Sequence, residues 1–310
     1  MEFRLLRIGL GGNIEAIKNK FGNLDIYKQD RFSENCELNI RFNPCGTKKQ
    51  FLLIDKNFYI YEMEEKNKFL RQIKYFINLI RLCKKYKINI LHVNTPYLYA
   101  VVPLCVSKLL RIPFCVSIHA DYEQRETLQE NIIPKIRGSR KVADFIEKFV
   151  YKSAERILPI RESMIPTLVR KGINSSKIRI FPHGIDLSGF EQEINNAGFR
   201  NKFNIPYDKK IISMVGRFEK ENYIYDYIKI AESLLKQRND WVMVLAGGGK
   251  ERDHIKNEIK KRDLERYIIL TGFISHRDVI KLRKLSYINL CLMAGFSLIE
   301  ACAAGRPVIS

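Results

Sequence analysis

Gly295-Phe-Ser-Leu-Ile-Glu300-Ala-Cys-Ala-Ala-Gly305-Arg-Pro-Val-Ile-Ser310 is the stretch whose reading decides the fold. Small and apolar residues between Phe296 and Ala304 predict a helix, Gly305 ends it, and Pro307-Val-Ile starts a strand. In a parallel sheet this puts a helix N-terminus and a carboxylate, Glu300, at the carboxyl edge of the strands, where such sheets bind ligands.

Working outward, the same alternation of short β-branched runs and helical runs fills the chain. Strands are predicted at Lys210–Val215, Trp241–Ala246, Tyr267–Leu270 and Tyr287–Cys291, each followed by a helix. An earlier set begins at Arg4-Leu-Leu-Arg-Ile-Gly and continues through Ile88–Val93, Pro113–Ile118, Arg156–Pro159 and Lys177–Phe181. Residues 25–62 are poorly patterned, with strand-like pieces at Phe51-Leu-Leu-Ile and Phe58-Tyr-Ile-Tyr. Phe69, Leu70, Ile73, Phe76, Ile77 and Ile80 form a helical stripe expected to face a core, with lysines and arginines over the remaining surface. Strands alternating with helices predict an α/β chain of parallel sheets with right-handed crossovers. The expected architecture is two Rossmann-like domains facing across a cleft: residues 1–190, a polar linker 191–209, and residues 210–310.

The composition bounds the function. The chain has 310 residues, 46% of them apolar, enough for two cores. Its seven cysteines form no CxxC pair and lie mostly in apolar runs, so they read as small buried hydrophobes. The N-terminus lacks a signal-peptide core, and no uncharged apolar run is long enough to span a membrane. The net charge of +20 fits an anionic partner or merely a lysine-rich solvated surface. No nucleic-acid module is recognisable, so nucleic acid is not an expected partner. There is no HExxH array, no DxD triplet and no GxSxG elbow, so neither a metal nor a cofactor is expected.

Each candidate site lies at a strand end. Gly216-Arg217-Phe218, with Lys220 two residues on, fits either an anion-binding turn or a surface arginine capping a turn. Ala246-Gly247-Gly248-Gly249-Lys250 permits close approach to a ligand, and equally permits a sharp turn. Gly272-Phe273-Ile274 fits a nucleobase edge or a plain loop. His183, beside Gly184 at the junction of the halves, could line the cleft. In Ser117-Ile-His119-Ala-Asp121, His119 is the best candidate for touching substrate and Asp121 the second, whereas His92 in mid-strand is expected to be a satisfied core or edge histidine.

Taken in order, these segments resemble glycosyltransferase family 4 of the GT-B fold. Ala154-Glu-Arg-Ile-Leu-Pro through Lys177-Ile-Arg-Ile-Phe-Pro-His-Gly-Ile-Asp186 carries the likeness, together with Val215–Phe218, Leu245–Gly249, Leu270–Phe273 and Phe296–Ser310. The resemblance implies retaining, metal-independent transfer of a sugar from a nucleoside-diphosphate sugar to a saccharide or lipid-linked acceptor, in cell-surface polysaccharide or glycolipid synthesis. It implies a cytoplasmic location, with basic helices leaning on the anionic inner face of a membrane. By the same likeness Arg217 and Lys220 face the diphosphate, Ser297, Leu298 and Glu300 hold the donor with Glu300 on the ribose, and Gly272 to Ile274 take the base. Gly11 and Gly12 approach the donor from the other domain, and His119 lies near the transferred sugar. The chain departs from the pattern at Leu292, where the family carries the first of two glutamates. It also ends where the family is expected to continue, which implies an incomplete second domain. A degenerate homologue acting as a binding or partner subunit is the competing expectation.

Overall fold

Long apolar runs in this chain become parallel strands because such strands are buried on both faces. The computed structural model describes residues 2–9, 14–21, 35–119, 140–182, 184–185, 187–192, 195–293 and 295–310. The chain divides into two compact units, Met1–Pro182 and His183–Ser310.

The first unit runs β1 (Arg4–Ile8), α1 (Ile14–Phe21), β2 (Leu38–Gly46), β3 (Gln50–Asp55), β4 (Phe58–Glu64), α2 (Lys68–Lys85), β5 (Ile90–Val93), α3 (Leu98–Leu110), β6 (Phe114–Ile118), α4 (Arg140–Ser153), β7 (Arg156–Pro159) and α5 (Ile165–Arg170). Its sheet has the order β3-β4-β2-β1-β5-β6-β7, parallel except for the β3–β4 hairpin. The strand-like pieces at Phe51 and Phe58 thus become β3 and β4, and β2 is the strand that the pattern concealed. Buried polar groups interrupt the apolar run of β2. Asn39 accepts from Arg7 Nε at 3.0 Å, and Asn43 donates to Glu62 Oε1 at 2.9 Å. Glu62 also accepts the Ile14 N–H at 2.8 Å and Gln50 Nε2 at 2.7 Å, so a buried carboxylate holds the start of α1.

α2 corrects the stripe read from the sequence. Its buried residues are Tyr75, Leu79, Leu82 and Cys83, with Phe76 and Ile80 packed beside them, while Phe69, Leu70, Ile73 and Ile77 are exposed. The helix therefore turns the first half of its apolar stripe away from the sheet. Asn67 caps it, accepting from the N–H groups of Phe69 and Leu70.

The second unit comprises α6 (Ser188–Glu191), α7 (Asn196–Lys202), β8 (Lys210–Arg217), α8 (Ile224–Leu235), β9 (Trp241–Gly248), α9 (Arg252–Lys261), β10 (Ile268–Gly272), α10 (His276–Leu285), β11 (Ile288–Leu290), α11 (Phe296–Ala303) and β12 (Val308–Ile309). All strands are parallel, in the order β10-β9-β8-β11-β12. The polar stretch 191–209 carries α7, whose Phe199 packs with Ile205, Ile211, Val242, Val244 and Leu282 beneath this sheet. Strand order reverses between β8 and β11, because β9 and β10 lie on one side of β8 and β11 and β12 on the other. A crevice at the carboxyl ends of β8 and β11 follows from that reversal.

His92 of β5 is buried in the core, as its position implied, and its Nε2 shares a hydrogen bond of 2.7 Å with the Ser117 hydroxyl of β6. Burial, with the nearby charges of Arg7 and His119, pushes its pKa down to about 3. An unfolded chain titrates this imidazole near pH 6.5, so between these values the unfolded state binds the extra proton. His92 is therefore expected to make the protein acid-labile, by about 2 kcal/mol between neutral pH and pH 5 on that difference in pKa. Urea unfolding at stepped pH checks this: His92→Gln should flatten the loss below pH 6.5, and an unchanged slope would refute it.

Candidate functional site

At the carboxyl edge of the second sheet the glycines serve the chain's own backbone. Gly247 has φ +137°, and a Cβ there would lie 1.9 Å from the Gly216 carbonyl oxygen. At Gly249 a Cβ would lie 2.4 Å from the Phe218 oxygen. The ends of β8 and β9 thus touch more closely than any side chain allows. The Phe218 N–H donates to Gly248 O at 3.0 Å, and the Glu251 N–H to Phe218 O at 3.0 Å. Phe218 is buried by this turn, and Arg217 beside it is exposed, paired with Glu219 at 2.9 Å. Buried Asn222 donates to the Arg217 carbonyl at 2.8 Å and so fixes the turn. Lys220 is exposed on the short 3-10 turn Lys220–Asn222.

Across the reversal, Gly295 adopts φ 124° and ψ −149°, a region effectively reserved for glycine, and the space a Cβ would enter there is open. No side chain caps the helix at this residue among those described. The Leu298 and Ile299 N–H groups turn back to the Gly295 carbonyl at 3.1 and 3.3 Å, so α11 starts as an electropositive end with no side-chain cap at Gly295. Ser297 in that turn donates its hydroxyl to Val215 O of β8 at 2.8 Å and accepts from Arg283 at 2.8 Å. Glu300, one turn on, is buried; its Oε1 shares a hydrogen bond of 2.9 Å with His276 Nε2, and its Oε2 lies 3.4 Å from Arg283. Leu292, where the family pattern has a glutamate, packs its side chain on the core, and its N–H donates to the Tyr227 hydroxyl at 3.0 Å. Burial pushes that hydroxyl's pKa up to about 12, so it stays protonated.

The loop after β10 stands beside the end of β9. Gly272 has φ +70°, and the exposed ring of Phe273 lies where a Cβ on Gly248 would meet it at 2.9 Å. Ile274 packs instead on the cluster beneath the sheet, and Leu298 is half-buried on α11. The second unit thus brings Arg217, Ser297 and Glu300 to β8 and the helix tied to it, with Gly272 and Phe273 at the neighbouring strand end. In the first unit, His119 is exposed directly after β6. Gly11, Gly12, Asp121 and His183 lie outside the described residues.

Two groups escaped the reading of the sequence, Arg283 and His276. Arg283 falls four residues after Val279 and seven after His276, so it shares the apolar face of α10; a charge at that spacing was the available signal. Among the described residues, no three His, Cys, Asp or Glu side chains gather as a metal site.

Residues 54–188 match the family "Glycosyltransferase Family 4", and residues 196–310 match "Glycosyl transferases group 1". The chain is similar to the alpha-monoglucosyldiacylglycerol synthase of Acholeplasma laidlawii, with 21% identity over 249 residues, 77% of this chain and 62% of that protein. It is similar to the same-named enzyme of Streptococcus pneumoniae, with 23% identity over 248 residues, 76% of this chain and 54% of that protein. The chain thus spans between about half and two thirds of these relatives' length. Among solved structures it is similar to sucrose-phosphate synthase from Thermosynechococcus elongatus, at a TM-score of 0.72 and 16% identity, covering 99% of this chain and 80% of that one. Anabaena HepE in complex with UDP matches at a TM-score of 0.69 and 14% identity, with the same coverage. The sheet order, the strand-end motifs and the two family matches together establish that the chain belongs to the family 4 glycosyltransferases of GT-B fold.

Proposed function

We propose that the protein is a retaining glycosyltransferase that moves a sugar from a nucleoside-diphosphate sugar to a saccharide or lipid-linked acceptor, without a resident metal ion. The observation that carries this is the pairing, at one reversal of strand order, of an exposed guanidinium on β8 with the uncapped N-terminus of α11. A departing diphosphate needs positive charge fixed in advance, and Arg217, Lys220 and the N-terminal dipole of α11 supply it. Glu300 is the acceptor for ribose hydroxyls, and the ring of Phe273 is the platform for a base. Relatives named for making glucosyldiacylglycerol, and others named for undecaprenol-linked sugars, support an acceptor anchored in lipid. Leu292 favours one second reading, a homologue that binds nucleotide but transfers nothing, because no carboxylate stands at that position.

The same reading places the protein at the inner face of a membrane. Among the described residues no helix is long and apolar enough to cross one. On α2, however, Phe69 is 75% exposed amid Lys66, Lys68, Arg71 and Lys74, and on α4 Phe145 is 72% exposed amid Lys141 and Lys148. Apolar tips among cations match the boundary of an anionic bilayer.

Two measurements test these readings. Transfer or hydrolysis assayed with UDP-, GDP- and ADP-sugars should fall about a hundredfold or more in Arg217→Ala, on the order of 3 kcal/mol of barrier, and should survive EDTA. Equal activity of the variant would remove Arg217 from the donor site, and nucleotide binding without turnover would favour the second reading. Co-sedimentation with phosphatidylglycerol vesicles should weaken roughly tenfold in Phe69→Ser/Phe145→Ser, and should weaken with salt. Binding that is unchanged, or equally strong to purely zwitterionic vesicles, would refute the membrane reading.

A further inference from the structure

We propose that Arg283 is a positioning residue: it sets the Glu300 carboxylate so that one oxygen is held inward and the other is presented to a ribose diol. The inference rests on the donor reading above. Arg283 is 1% exposed, the most deeply buried cation among the described residues. Its guanidinium reaches the Ser297 hydroxyl at 2.8 Å, Glu300 Oε2 at 3.4 Å and Cys291 Sγ at 4.0 Å, and its Nε has no hydrogen-bond partner among the described residues. A guanidinium desolvated to this degree and left partly unsatisfied is a poor source of stability, since a packed apolar residue serves a core equally well.

What Arg283 does achieve is geometric. Both oxygen partners lie in the first two turns of α11, and Ser297 passes the connection on to Val215 O, two residues before Arg217. One planar fork therefore registers the helix that carries the ribose acceptor against the strand that carries the diphosphate cation. It also divides the carboxylate. Oε2 faces the buried guanidinium, while Oε1 faces His276, whose side chain is 43% exposed. Oε1 is thus the oxygen a diol can take over, by displacing a half-solvated imidazole while Arg283 keeps the other oxygen in place. Leu292 offers no second carboxylate from the preceding loop, so orientation of this one matters more in this chain than in a sequence with both glutamates.

Calorimetric titration with UDP and with 2′,3′-dideoxy-UDP tests the proposal. The unaltered protein should prefer UDP by roughly tenfold, the scale of one hydrogen-bonded pair to a charged group. In Arg283→Met the two ligands should bind alike, chiefly through loss of UDP affinity. In a Glu300→Gln background, where the preference is already gone, adding Arg283→Met should change nothing further. Should Arg283→Met fail to fold, Arg283→Lys decides: it keeps the charge but cannot span Ser297 and Glu300 together, so the preference should drop at least threefold. A preference retained in the Arg283 variants, or both ligands weakened in equal proportion, overturns the role of Arg283 and leaves the donor site standing. Failure of the unaltered protein to bind UDP, GDP or ADP overturns the donor reading itself, and the role of Arg283 with it.

Discussion

The second unit depends on one constraint, the contact between the ends of β8 and β9. Here Gly247 and Gly249 let the two backbones approach more closely than β-carbons would permit. That contact sends Phe218 inward and leaves Arg217 outside. On its other flank β8 meets β11, reached only after the chain has built β9 and β10 and crossed back. The carboxyl end of β8 is therefore the switch point of the sheet, where such folds bind ligands, and Ser297 ties the start of α11 to that edge. The cation and the uncapped helix end are thus consequences of strand order and of two missing β-carbons.

The sequence disclosed this much because strand-end motifs have local causes. A β-branched run followed by Gly-Arg, or by three glycines, can be read without knowing its neighbours. The three glycines show the limit of that legibility: their sequence allows a ligand contact or a turn, and the partner proves to be the adjacent strand, which only the sheet order reveals. The rotation of α2 was concealed for a similar reason. Its apolar residues exceed what one face can hold, and packing selects Tyr75, Leu79 and Leu82 over Phe69, Ile73 and Ile77. β2 was hidden because its buried Asn39 and Asn43 find partners on other strands, 32 and 19 residues away. Arg283 stayed unread because surface spacing rules treat arginine as solvated. Its burial follows from partners on an element that comes later in the chain.

A comparison inside the second unit separates the two ways a buried carboxylate is held. Burial raises the pKa of Asp278, but Lys202 at 2.7 Å and Ser275 at 2.8 Å together hold it below the usual carboxylate range. The Lys202 side chain is 56% exposed, so its ammonium remains hydrated and only one ion of the pair has left water. Such a pair ties α7 to α10 at modest desolvation cost. With Arg283 and Glu300 both ions have left water, and the contact between them, at 3.4 Å, is looser than the lysine pair. On stability alone the lysine arrangement is the better one. The doubly buried pair gains something else: a carboxylate with one oxygen held on a guanidinium that solvent does not reach, at the edge of the sheet where Ser297 joins α11 to β8. Fixed orientation of this kind matters where a ligand must find an acceptor already aimed. The excess burial of Arg283 therefore belongs with recognition at this edge rather than with the strength of the fold.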